Sequence, residues 1–157
     1  MARSSRIAFA LLLVLVAGCG RPTGDCHFIS ARSAAARDGH YAFTLVLDPA
    51  RTYATTLAAR LVASQLDEPL IHLDIRIDTP DGATQIERLS LPLTEEACLK
   101  RTAGGGTRMD CQWAWRDLRP DTLQAGHWHV TIMPNTPAAA LAGIGLSYEC
   151  IEWEKEN

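Results

Sequence analysis

A cysteine follows directly after the apolar N-terminal segment, in a setting that favours its lipidation. Arg3 and Arg6 supply positive charge, and the apolar run from Ile7 to Val16 is too short to span a bilayer stably. Val16-Ala17-Gly18-Cys19 then fits the bacterial lipoprotein box. The thiol of such a cysteine takes a diacylglyceryl group before the signal peptide is cleaved, and each buried CH₂ contributes about 0.8 kcal/mol to membrane attachment. We expect residues 1–18 to be a lipoprotein signal peptide; an ordinary secretory signal with an incidental cysteine is the alternative.

The residue after the anchor indicates the membrane. Gly20 follows Cys19, so the aspartate that retains some bacterial lipoproteins in the inner membrane is absent. We expect a cell-envelope protein attached to the outer membrane through fatty acyl chains such as palmitate on Cys19. The sequence leaves the leaflet open.

Four further cysteines are expected to form disulfides, because export places them in an oxidising compartment. They are Cys26, Cys98, Cys111 and Cys150. Three pairings are possible. A Cys98–Cys111 bridge would close a hairpin containing Gly104-Gly105-Gly106 and contribute about 3 kcal/mol, and a Cys26–Cys150 bridge joining the chain ends would contribute nearer 5 kcal/mol. A zinc site is the alternative, although no CxxC pair is present.

Two histidines have the spacing of metal ligands on a strand. His127 and His129 lie two residues apart, which places both rings on one face of a strand. Glu149 or Asp74 would have to supply a third ligand. The favoured interpretation is that both histidines face solvent beside a core Trp128, so no metal or other cofactor is expected.

Catalytic motifs are otherwise absent from the sequence. There is no GxSxG, HExxH, GxGxxG or P-loop. Adjacent Glu95 and Glu96 point to opposite faces of a strand and do not make a glycosidase pair. Ser90 with Asp74 and a histidine would have the composition of a hydrolase triad, but no local motif supports one. We expect a protein that is not an enzyme and assign no catalytic residues.

The length and charge of the chain restrict its class. Removing 18 of 157 residues leaves 139, enough for one domain with its own core. Without Arg3 and Arg6 the count is 13 basic against 18 acidic residues, a net charge of −5. A nucleic-acid partner is therefore not expected, because binding nucleic acid needs a positive field.

Apolar residues alternate with polar ones along most of the chain. The clearest cases are Tyr41 to Leu47, Leu57 to Ala63, Ile71 to Asp78, Ile86 to Leu93, Met109 to Trp115, Trp128 to Ile132 and Ile144 to Cys150. This period of two predicts strands. One-sided apolar strands must bury their faces against a second sheet, so we expect an all-β antiparallel sandwich of about seven to eight strands, with a small closed barrel as the alternative.

Smaller features complete the prediction. Trp113, Trp115 and Trp128 are expected in the core. Thr136-Pro137 should cap one short helical turn closed by Gly143.

The expected organisation is a signal peptide (1–18), a lipidated N-terminus and linker (19–40), the sandwich domain (41–153) and an acidic tail (154–157).

A series of motifs in one order resembles a known family. The motifs are the lipobox, Tyr53 with Leu57, residues 69–78 before Pro80-Asp81-Gly82, Leu91-Pro92-Leu93, Gly126-His127-Trp128-His129-Val130 and Leu141-Ala142-Gly143-Ile144-Gly145-Leu146. Over residues 41–149 they are similar to the gliding-motility-associated lipoproteins of the GldH type found in Bacteroidota. The resemblance implies a non-enzymatic outer-membrane lipoprotein tied to gliding or type IX secretion, and it brings no catalytic residues.

Three functions remain in competition after the sequence is considered. The preferred one is an accessory or interaction subunit of an envelope protein complex. The second is a module that binds carbohydrate or another small ligand through exposed aromatic rings or a loop cluster. The third is a metal-assisted enzyme that uses His127 and His129.

Overall fold

The computed structural model describes residues 24–104 and 106–151. Two of the predicted features, the signal peptide with Cys19 and the acidic tail, lie outside these residues. Within the described ranges no helix is long and apolar enough to cross a membrane.

Nine strands make up most of the described chain. They are β1 (Gly24–Ser30), β2 (Tyr41–Leu47), β3 (Thr52–Val62), β4 (Leu70–Asp78), β5 (Thr84–Pro92), β6 (Cys98–Ala103), β7 (Gly106–Leu118), β8 (Gly126–Pro134) and β9 (Leu141–Ile151). Short 3₁₀ turns lie at Ala34–Gly39, Ala63–Gln65 and Ala138–Ala140. The predicted all-β class is confirmed.

The strands form two antiparallel sheets. The first sheet has the order β1-β9-β3-β7-β6, and the second has the order β2-β8-β4-β5. Each sheet has two edge strands, so the molecule is a sandwich and not the closed barrel that the sequence left as the alternative. Pro92 ends the edge strand β5, where its missing N–H interrupts no ladder.

The core lies between the sheets and is built from the alternating residues. Strand β2 buries every second side chain, and β4 does so with four consecutive inward positions. The fully buried members include Leu45, Leu57, Leu61, Ile71, Ile75, Ile77, Val130, Ile132, Ile144 and Leu146. Trp113 and Trp128 are 9% and 5% exposed, which confirms their predicted core positions, whereas Trp115 is only partly buried.

The sandwich begins earlier than the sequence indicated. The sequence predicts a lipidated N-terminus and linker over residues 19–40, but all seven residues of Gly24–Ser30 pair with β9, from Gly24 opposite Glu149 to Ser30 opposite Gly143. This segment lacks an alternating apolar pattern because most of its side chains are exposed at the sheet edge. The first strand therefore begins at Gly24, five residues after Cys19.

The short turn before β9 also differs from its prediction. The 3₁₀ turn covers only Ala138–Ala140, and Pro137 precedes it without a side-chain cap. Thr136 accepts a hydrogen bond from the His72 backbone N–H at 3.3 Å instead of capping the turn. Gly143 does not close a helix, because it lies inside β9, where a Cβ would come 2.6 Å from the Phe28 ring.

The predicted turn between β4 and β5 is present. Gly82 adopts a φ of 86°, and its N–H donates to the Thr79 carbonyl at 3.0 Å. Glycine suits this position because its backbone reaches positive φ without steric cost.

Candidate functional site

Cys98 and Cys111 form the disulfide that the sequence predicted. The two residues are direct partners in the β6–β7 ladder, with Cα atoms 4.0 Å apart. Both are buried, so the bridge closes the Gly104 hairpin from its core side. Together with Ala97, whose carbonyl accepts from the Gln112 N–H at 2.9 Å, it fixes the edge of the first sheet.

The second predicted bridge is wrong, because Cys26 and Cys150 are both free thiols. Cys26 lies opposite Ser147 in the β1–β9 ladder. Ser147 and Cys150 are three residues apart on one strand, so their side chains point to opposite faces of the sheet. Cys150 instead receives a hydrogen bond from the Arg51 guanidinium, with Nη1 and Sγ 3.6 Å apart. This hydrogen bond is the largest of the effects that raise the pKa of Arg51 above its ordinary value.

His127 and His129 share the outer face of the second sheet, as predicted, and both are exposed. The proposed third ligands are not brought to them. Glu149 belongs to the other sheet, and Asp74 forms an ion pair with Arg88 at 3.4 Å. No group of three metal-ligating side chains occurs among the described residues.

The carboxylate beside His129 is one that sequence reasoning missed. Asp78 is its direct partner across the β4–β8 ladder, and Thr44 on the other side lies 3.3 Å from Nδ1. The Thr84 hydroxyl and then the Arg76 guanidinium donate hydrogen bonds to Asp78 and lower its pKa. Asp78 already accepts hydrogen bonds from Thr84 and Arg76, so its role is that of an ion-pair partner on the outer surface of the sheet.

A chain of hydrogen bonds joins Ser90, His72 and Glu68 on the same outer face. His72 Nδ1 lies 2.9 Å from Ser90 Oγ, and its Nε2 lies 3.0 Å from Glu68 Oε1. Asp74, the acid that the sequence offers without a supporting motif, pairs with Arg88, and the carboxylate beside His72 is Glu68. The side chains of His72 and Glu68 are exposed, whereas a catalytic triad works where water is excluded and oxyanion donors are preorganised. We therefore assign no reaction to this chain.

A cleft of about 540 Å³ opens at the end of the sandwich where β1 begins, and we call it the β1-end cleft. Its lining residues are Asp25, Val46, Leu47, Asp48, Pro49, Arg51, Tyr53 and Tyr148. Strands β1, β2, β3 and β9 all contribute, so the cleft lies between the two sheets. Sequence reasoning missed it because its residues come from three separate stretches of the chain, at residue 25, at residues 46–53 and at residue 148.

Two tyrosines form the inner wall of the β1-end cleft. Their rings meet edge to face with centroids 5.9 Å apart. The Tyr148 hydroxyl accepts a hydrogen bond from the Val46 N–H at 3.2 Å, and the Tyr53 hydroxyl accepts one from the Asp48 N–H at 3.0 Å. Asp25 and Arg51 add charge to the lining. Apolar walls with a few polar groups are typical of pockets that bind small molecules.

Comparisons with protein families and with curated proteins give no match. The resemblance to the GldH type therefore depends on the motifs quoted from the sequence.

Proposed function

We propose that the protein is a lipid-anchored, non-enzymatic lipoprotein of the cell envelope, and that its sandwich is an accessory or interaction subunit of an outer-membrane complex. The observation that carries the proposal is the short distance along the chain between Cys19 and β1, which begins at Gly24. Five residue steps span at most about 18 Å. An acylated Cys19 would therefore hold one end of the sandwich at the membrane surface.

With Cys19 as the anchor, the end of the sandwich at which β1 starts would face the membrane. The start of β1 lies beside the end of β9, since Gly24 pairs with Glu149. Leu47 pairs with Gly126 at the same end of the second sheet, which places the 119–125 loop there. Leu123 in this loop is exposed and would contact the lipid interface. The β6–β7 hairpin then projects from the opposite end.

An attached β-sandwich with accessible faces is suited to protein contacts. Phe28 and Leu99 on the first sheet, with Val46 and Ile86 on the second, are large apolar side chains exposed to solvent. The finer assignment, to gliding motility or type IX secretion, is a proposal that rests on the order of the GldH-type motifs. Genes for gliding or secretion components beside the gene for this protein would support that assignment.

Crosslinking in cells tests the interaction role. The full-length protein, tagged at its C-terminus and expressed at native level, is crosslinked and purified from membranes. We expect the same envelope proteins in replicate purifications. A Cys19→Ala variant is the control, because loss of the anchor should deplete those companions. Recovery of the lipoprotein alone would overturn the proposal.

The β1-end cleft favours a second candidate function, a lipoprotein that binds carbohydrate or another small ligand. Trp113 and Trp128 are buried and provide no exposed aromatic platform, so the cleft walls of Tyr53 and Tyr148 would have to bind the ligand. A thermal-shift screen with sugars and small amphiphiles tests this candidate. A shift that disappears in an Arg51→Gln variant would support it, and no shift with any compound would exclude the compounds screened.

A further inference from the structure

Four arginines gather at the end of the first sheet opposite the β1-end cleft. Arg32 lies in the turn after β1, Arg60 in β3, Arg101 in β6 and Arg108 in β7. We call them the arginine patch. A groove of about 470 Å³ runs through it, and its lining includes Arg32, Arg60, Arg108, Leu141 and neighbouring alanines.

Strand register forces like charges together in this patch. Arg101 and Arg108 are direct partners in the β6–β7 ladder, and both are exposed. Like charges directly opposite each other on a sheet destabilise it. Arg60 is diagonal to Arg108, because Val62, two residues further along β3, is the direct partner of Arg108.

One carboxylate partly offsets these charges. Asp110 accepts a hydrogen bond from Arg60 Nε at 2.6 Å and lies 3.5 Å from Arg101 Nε. In the part of the chain that the structure describes, the ion pairs of the patch all go to Asp110, so four guanidinium groups share one carboxylate and leave an excess positive charge, although the whole chain carries a net charge of −3. An anionic partner would relieve the repulsion that the fold itself leaves in place.

Apolar side chains flank the arginines on the same face. Phe28 is 46% exposed and Leu99 is 58% exposed. The Phe28 ring lies against Gly143 and Gly145, and the Arg60 guanidinium stacks over it at 5.3 Å from the ring centroid. Arginine with aromatic residues is the composition of protein–protein hot spots. A bare phosphate would use the arginines and leave Phe28 and Leu99 unused.

We propose that the arginine patch docks a partner protein through a segment that carries both acidic and apolar side chains. This proposal deepens the interaction role. It rests on the proposed function, because the anchor at Cys19 would set the orientation of the arginine patch relative to the membrane. Strand β1 is seven residues long, so the patch stands about 20 Å from the anchored end. It would face away from the membrane, where a second envelope protein has access.

Peptide binding tests the proposal. The full-length lipoprotein in detergent is titrated against a fluorescein-labelled peptide of alternating glutamate and leucine, and anisotropy gives the dissociation constant at low salt. A lysine–leucine peptide, inorganic phosphate as competitor and vesicles containing phosphatidylglycerol are run in parallel. The variants are Arg108→Gln and, as a control with the same charge change, Arg88→Gln on the other sheet.

We expect the acidic peptide to bind and Arg108→Gln to weaken it roughly two- to fivefold, the range of one exposed ion pair. Arg88→Gln should change the affinity less than twofold, and added salt should weaken binding. Relief of the Arg101–Arg108 repulsion should leave the denaturation midpoint of Arg108→Gln unchanged or higher, which shows that the variant folds.

Several results would overturn the proposal. Equal affinities of Arg108→Gln and Arg88→Gln would show that the patch is not the binding surface. Full competition by phosphate, or binding of anionic vesicles in place of the peptide, would point to a phosphate group or a lipid surface. Failure of the proposed anchor can be told apart from failure of the patch proposal, because a protein without lipid on Cys19 would still bind the peptide through the patch.

Discussion

At the scale of single residues, strand register decides which cysteines can react with each other. Cys98 and Cys111 are direct cross-strand partners and form a disulfide, whereas Cys26 and Cys150 project from opposite faces. The sequence showed that the first pair is local and sits at a hairpin. The sequence pairs Cys26 with Cys150 only by elimination, and the β1–β9 register excludes that pair.

Removing the disulfide should destabilise the fold. The bridge closes a loop with a sequence separation of 13, for which loop entropy predicts about 3 kcal/mol. We expect the Cys98→Ala/Cys111→Ala variant to lose about 2–4 kcal/mol of unfolding free energy in urea. Cys26→Ala is the control and should match the wild type, since Cys26 is exposed and unpaired. Equal stability of the double variant and wild type would contradict the prediction.

Asp81 should make stability depend on pH at the β4–β5 turn. Hydrogen bonds from the Thr79 hydroxyl and then from the Ala83 N–H lower its pKa from the usual 3.8. A lowered folded-state pKa stabilises the fold above pH 3.8, and this contribution is lost as the pH falls through the folded-state value. Asp81→Asn should therefore have a lower Tm than wild type at pH 7, and the difference should shrink as the pH falls below 3.8.

The matched control for this titration is Asp117→Asn. Asp117 is exposed and pairs with Ala54 through the β3–β7 ladder, and among the described residues its carboxylate makes no side-chain hydrogen bond or ion pair. Its Tm should follow that of the wild type at both pH values. A Tm difference for Asp81→Asn that stays constant from pH 7 to pH 2.5 would contradict the prediction.

At the scale of strands, the alternation of apolar residues is enough to predict a strand wherever one face of that strand is buried. Strands β2, β3 and β4 follow the predicted pattern, because burial on one side imposes a period of two. Strand β1 was missed, since its edge position leaves most side chains exposed and removes that pattern. The β1-end cleft and arginine patch were missed for another reason: pairing, which sequence alone does not reveal, assembles them from distant segments.

The β1–β9 pair should be sensitive to side-chain size at Gly143. A Cβ there would lie 2.6 Å from the Phe28 ring and 2.7 Å from the Ile29 carbonyl oxygen. The backbone oxygen cannot rotate away, so we expect Gly143→Ala to cost about 1–3 kcal/mol, as overpacking usually does. Gly106→Ala is the control, because a Cβ there meets no atom within 4 Å. Urea denaturation compares them, and equal midpoints would contradict the prediction.

At the scale of the whole molecule, the two sheets are joined by more than their apolar core. Glu87 on edge strand β5 points inward and accepts hydrogen bonds from two residues of β7 in the other sheet. Trp115 Nε1 donates to it at 3.0 Å, and the Arg116 guanidinium forms an ion pair with it. An inward charge on an edge strand also discourages pairing with other chains.

Breaking this connection between sheets should weaken the sandwich. Glu87→Gln removes the charge and places an amide against two donors, so we expect a loss of about 1 kcal/mol for this partly exposed group. Asp74→Asn is the control, because it breaks an ion pair within one sheet to Arg88, which is 86% exposed. That change should cost less than about 0.5 kcal/mol. Equal losses in urea denaturation would contradict the role of Glu87.

The anchor at Cys19 determines how the molecule is oriented, so lipid attachment is the most direct test. Cells that express the full-length protein are grown with an alkyne analogue of palmitate, and the purified protein is examined for label. We predict label on the wild type and on Cys26→Ala, with loss of both label and membrane association in Cys19→Ala. An unlabelled wild type, or label that persists in Cys19→Ala, would contradict the lipid-anchored interaction subunit proposed for this chain.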